Sequence, residues 1–106
     1  MKKLDSINMI QEELHDGELK TYLIEKYNGI IQEYGLNGIS GIFSIILLQH
    51  EDIGYISDKY LEFCEEVTFD DATWLHTVWA ASDGYSEDIY IPYSESVKTA
   101  IEGRCL

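Results

Sequence analysis

The chain is poor in cysteine, proline and positive charge, and each shortage closes off a class of protein. Two cysteines among 106 residues, Cys64 and Cys105, form neither a disulfide framework nor a paired metal-binding spacing. The expectation is a reduced, cytoplasmic protein in which Cys64 behaves as a small buried hydrophobe. The single proline, Pro92, belongs to no proline-rich linker, and no low-complexity segment or internal repeat appears. The most apolar run, IFSIILL at 42–48, is broken by Ser44. It falls far short of the roughly 20 apolar residues that cross a bilayer. Met1-Lys2-Lys3 is basic, but LDSINMIQEEL behind it holds no continuous apolar stretch, so no signal peptide is expected.

The largest shortage is of cations. Seven Lys and Arg oppose 20 Asp and Glu, a formal net charge of −13. Residues 1–50 hold seven acids and four bases (−3), residues 51–102 thirteen acids and two bases (−11), and Arg104 returns one. Between Lys59 and Lys98 lie nine carboxylates and no Lys or Arg across 38 residues. Such a field repels phosphate and disfavours nucleic acid or an anionic membrane as a direct ligand; it attracts basic surfaces. High net charge also simply keeps a protein soluble, which is the plainer explanation of any acidic chain.

What is present is core material: 45% hydrophobic and 12% aromatic residues, enough for one domain over residues 1–106. Asp5 or Ser6 can cap a helix in which Ile7, Ile10 and Leu14 recur, until Asp16-Gly17 stops it. Residues 18–34 place Leu19, Tyr22, Leu23, Tyr27, Ile30, Ile31 and Tyr34 on one helical face, although Asn28-Gly29 is also a hairpin signal. Helix is favoured there, since a helical Gly costs only about 1 kcal/mol. Gly35, Gly38 and Gly41 punctuate a junction that leads into IFSIILLQ, a buried helix or inner strand.

Ser57 reads as the cap of a helix over 58–67, with Asp58, Glu62, Glu65 and Glu66 in one arc and Tyr60, Phe63, Cys64 and Val67 opposite. ATWLHTVWAAS is open between a helix capped by Asp70 or Asp71 and a strand. The β-rich alternative pairs TWLHTVWAAS with EDIYIPY around Asp83-Gly84 and is preferred. Ser94 then caps a last helix, ESVKTAIE, closed by Gly103. The fold expected is α+β, several helices with a short antiparallel hairpin or sheet near the C-terminus. An all-α bundle is the alternative.

Catalytic and metal signatures do not assemble. His15, His50 and His76 lack i,i+4 partners and Cys-x-x-Cys neighbours, so no metal or cofactor is expected. DGYSED at 83–88 lacks the alternation of a calcium loop, and GLNGISG lacks the phosphate-loop lysine. A Cys64–His76 pairing can be drawn, but a thiolate on a buried face is disfavoured.

What remains is acidity interleaved with aromatics. Carboxylates one helical turn apart sit about 5–6 Å from each other, comparable to neighbouring phosphates on a strand of nucleic acid. The candidate partner-binding residues are Asp58, Glu62, Glu65, Glu66, Asp70, Asp71, Glu87 and Asp88, with Tyr85 and Tyr93 as aromatic anchors. The expected function is non-enzymatic binding of a basic surface on another protein, in particular as a nucleic-acid mimic that blocks an effector. The alternatives are an immunity- or antitoxin-like partner of one basic toxin and a small enzyme using His76 or Cys64. In composition alone, the chain is similar to the small acidic inhibitors that phages and mobile elements direct against restriction and CRISPR systems.

Overall fold

β-branched and aromatic residues dominate the C-terminal half, and they assemble as strands wherever a neighbouring strand takes up their backbone groups. In the computed structural model, which describes residues 1–4, 6–34, 43–80 and 86–102, five strands form one mixed sheet. In chain order the elements are β1 (Lys2–Leu4), α1 (Ile7–Glu13), α2 (Glu18–Tyr34), β2 (Phe43–Leu47), a 3-10 helix (His50–Ile56), β3 (Tyr60–Phe69), β4 (Ala72–Ala80), β5 (Ser86–Pro92) and α3 (Glu95–Glu102). The sheet order is β1-β2-β5-β4-β3; β2 and β5 run parallel and the other neighbours antiparallel.

The architecture is therefore α+β, as expected, and the all-α alternative is excluded. The sheet is larger than a C-terminal hairpin. β4 and β5 do pair antiparallel, but β5 lies in the interior between β4 and β2, and the N-terminal Lys-Lys-Leu supplies an edge strand. IFSIILL contributes β2, an inner strand whose Ile45 and Ile46 are fully buried. Asp83-Gly84 and the glycines at 35, 38 and 41 lie outside the described residues, as do Asp5, Gly103 and Cys105.

Helix positions follow from local chemistry. The Ser6 hydroxyl accepts from the Met9 amide at 3.2 Å and starts α1; the Ser94 hydroxyl accepts from the Val97 amide at 3.2 Å and starts α3. α2 runs straight through Asn28-Gly29, because its apolar face has a sheet to pack against.

The expected helix over 58–67 is overturned: β3 occupies Tyr60–Phe69, and Ser57 ends the 3-10 helix rather than starting an α-helix. The cause is a β-bulge. Leu61 pairs with Trp79 and Phe63 with Val78, leaving Glu62 as an extra residue. The bulge turns the two-residue period of a strand into spacings of three, so Leu61 and Cys64 share one face and Tyr60 and Phe63 the other. That spacing imitates a helix in the sequence.

Two apolar clusters lie on either side of the sheet. Leu4, Ile10, Leu19, Leu23, Tyr27, Ile45, Leu47 and Tyr90 join the sheet to α1 and α2. Ile46, Ile56, Leu61, Leu75, Trp79, Ile89, Ile91, Val97 and Ile101 join its other face to the 3-10 helix and α3. Each fully buried large side chain contributes about 1.5–3 kcal/mol. Their polar atoms are satisfied: the Trp79 indole donates to Thr77 Oγ1 at 2.7 Å, Thr77 donates to the Ile89 carbonyl at 2.8 Å, and Tyr27 donates to the Leu4 carbonyl.

Candidate functional site

Consecutive strand residues point to opposite faces. Glu87 and Asp88 on β5 therefore send two carboxylates into the two sides of the sheet, where each meets a lysine. On the α2 side Asp88, 1% exposed, pairs with Lys26 through Oδ2 and with His76 Nε2 at 3.0 Å through Oδ1. His76 Nδ1 faces Glu65 Oε1 at 2.9 Å, so the imidazole of β4 is held between carboxylates from both neighbouring strands. Tyr90 stacks on the imidazole at 4.6 Å and accepts from Lys26 at 3.3 Å, and Phe63 meets the ring edge-on at 5.8 Å.

Burial is the largest influence on His76 and favours the neutral ring. The bonds to Asp88 and Glu65, with the charge of Asp88, outweigh it, and the pKa stands above the ordinary histidine value. Burial, followed by the bond with Tyr22, pushes the Tyr90 hydroxyl well up, so it stays protonated.

On the other side Glu87, 8% exposed, pairs with Lys59 at 2.7 Å and accepts from the Tyr55 hydroxyl at 2.6 Å. Lys59 also lies over the Tyr55 ring at 4.7 Å. The expectation that Glu87 and Asp88 face a partner is thus overturned. Both are buried and neutralised within the fold, because an unpaired interior carboxylate costs several kcal/mol.

Asp70 has a structural task too. With φ of 54° and 63°, Asp70 and Asp71 form a left-handed two-residue turn between β3 and β4, a conformation that Asp tolerates better than most residues. The turn carries the Asp70 carboxylate to the start of α2, where it accepts from the Glu18 amide at 3.0 Å and the Leu19 amide at 3.5 Å. Glu18 returns the bond, accepting from the Asp70 amide at 3.2 Å. This is a capping box built from residues 52 apart in sequence. Capping the next element was one expectation for Asp70; the helix it caps lies earlier in the chain.

The other candidate residues are solvent-facing. Asp58, Glu62, Glu65, Glu66 and Asp71 are exposed, though Glu66 pairs with Lys98 at 3.2 Å and Glu62 accepts from Ser86 at 3.3 Å. Tyr93 is half-buried and donates to Glu95 at 2.6 Å; Tyr85 lies outside the described residues. The exposed large hydrophobics among the described residues are Met1, Tyr60 and Phe63. Phe63 was expected in the core, and Tyr60 opposite the acids; the bulge explains both reversals. Cys64 is half-buried against the α3-side cluster, while His76 faces α2, so the sheet separates the two members of the drawn Cys–His pair.

The described residues line surface concavities. One of about 500 Å³ is lined by Gly17, Glu18, Thr21, Tyr22, Glu25 and Asp70; another, about 350 Å³, includes Cys64, Glu66 and Lys98. Among the described residues no group of three His, Cys, Asp or Glu is disposed to hold a metal, and no helix is long and apolar enough to cross a membrane. In the sequence His76 has no partner at metal-ligand spacing and suggests only a pairing with Cys64. Its partners lie 11 and 12 residues away on adjacent strands, and Lys26 reaches Asp88 from an α-helix much earlier in the chain. The chain matches no protein-family model, and neither a curated protein nor a solved structure is significantly similar to it.

Proposed function

We propose that this protein is a non-enzymatic binding protein whose acidic surface occupies a basic site on another protein in place of nucleic acid. The observation that carries this is where the positive charge goes. Lys2, Lys20, Lys26, Lys59 and Lys98 each pair with a carboxylate of the same chain, two of them with the inward-facing Asp88 and Glu87. These five lysines are engaged within the chain, Lys98 by Glu66 itself, while Asp58, Glu62, Glu65 and Asp71 add exposed carboxylates along and around β3. A surface so biased gives fast, salt-sensitive association with a cationic partner.

The likeness in composition to anti-restriction and anti-CRISPR inhibitors supports a cytoplasmic effector as the partner class, by analogy only. A second reading, an immunity-like cap on one basic toxin, is favoured by the exposed Tyr60 and Phe63, since aromatic anchors suit a single cognate partner.

The test leaves Glu65 and Asp70 intact, because both hold the fold together. Asp58→Asn, Glu62→Gln, Glu66→Gln and Asp71→Asn are combined, and partners are captured from the native host at increasing salt. Loss of the basic partner is expected. An unchanged partner set with unchanged salt dependence would reject the proposal.

A further inference from the structure

The α2 side of the sheet is covered unevenly. α2 packs over β1, β2 and β5 through Leu23 and Tyr27, and reaches the turn end of the β3–β4 hairpin, where Tyr22 meets Phe69 at 5.0 Å. Further along the hairpin, exposure rises among the described residues. Tyr60 pairs with Ala80 and Phe63 with Val78, two positions apart on β4, so both rings share this face. Without the bulge at Glu62 an odd separation would send them to opposite sides. Tyr60 is 54% and Phe63 46% exposed, beside half-buried Val78 and Ala80. Glu65 follows on the same face, and its side chain is 43% exposed beyond its bond to His76.

An aromatic pair on the outer strand of a sheet, bordered by carboxylates, is unusual for a surface facing only water. We infer that this face docks an arginine-bearing segment of a basic partner protein, whose guanidinium stacks on Tyr60 or Phe63 while pairing with Glu62 or Glu65. Charge complementarity selects the occupant. A second copy would bring another net −13 against the same carboxylates, and nucleic acid would bring phosphate. Arginine suits the site better than lysine, because its planar group stacks on rings and bonds a carboxylate through two N–H groups at once. The inference names the docking face for the function proposed above and rests on it.

Short oligo-arginine and oligo-lysine peptides of equal length serve as probes, with affinity read by calorimetry and location by amide chemical shifts. The expected result is an arginine preference of about two- to fivefold, with shifts at Tyr60, Phe63, Glu65 and Val78. In a Tyr60→Leu, Phe63→Leu variant, which keeps apolar bulk and the fold but removes the rings, the preference falls, leaving only the part supplied by two-point bonding to a carboxylate. Equal affinity for both peptides in the natural protein, or a preference undiminished in the leucine variant, would overturn the docking face alone. Failure of both peptides to bind would overturn the proposed function as well. Self-association abolished by the leucine variant would show that a second copy occupies the face, and would also overturn the inference.

Discussion

His76 sits between two carboxylates, and a neutral imidazole can donate to only one of them. The geometry therefore calls for the imidazolium, and the raised pKa of His76 agrees with it. Because the folded value lies above the unfolded value of about 6.5, the stabilisation is fully present below that pH. It is lost as pH rises through the folded value. Unfolding by urea across pH 6 to 9 is expected to show wild-type stability falling towards a His76→Gln variant, whose own profile is flatter. An NMR ring titration should place the His76 midpoint above 6.5; a midpoint at or below it would sink the idea. Asp88 is held more severely. Asp88→Ala leaves the Lys26 charge and the imidazole without their buried partner, a loss of about 3–5 kcal/mol in the same unfolding experiment.

At the scale of elements, two glycines behave oppositely. A Cβ at Gly17 would stand 2.6 Å from the Asp70 carboxylate, so that group must leave the start of α2 and abandon its bonds to Glu18 and Leu19. Gly17→Ala and Asp70→Ala are each expected to cost about 1 kcal/mol. Because both remove the same cap, the double variant should cost little more than either single change, and full additivity in denaturant melts would refute a shared cap. A Cβ at Gly29, on the open side of α2, meets nothing, so Gly29→Ala should stabilise by about 0.5–1 kcal/mol.

The same elements show what was legible in the sequence. The starts of α1 and α3 were readable at Ser6 and Ser94, and the α2 stripe was readable at Leu19, Tyr22, Leu23, Tyr27, Ile30 and Ile31, because caps and helical faces are local properties. β4 and β5 could be inferred from their Trp, Thr, Val, Ile and Tyr content. β3 could not, since one extra residue at Glu62 gave a strand the spacing of a helix. The Lys-Lys-Leu strand β1 is three residues long and acquires its identity only from β2. Of the candidate site, the exposed acids around β3 were legible. Glu87, Asp88 and Asp70 were not, because Lys59, Lys26 and the amides of Glu18 and Leu19 meet them only through the fold.

For the whole molecule, charge is sorted rather than scattered. Five lysines hold carboxylates at the fold's interior and margins, and exposed acids also border a ten-residue outer strand that displays two aromatic rings. Under the proposed function, that surface meets a cationic protein rather than nucleic acid or a second copy. The immobilised protein, loaded with the basic partner it captures from its native host, provides the most direct test when duplex DNA or RNA is added. Release of the partner by nucleic acid is expected, and no capture by the variant neutralised at Asp58, Glu62, Glu66 and Asp71. A complex that withstands saturating DNA and RNA would contradict occupation of a nucleic-acid site.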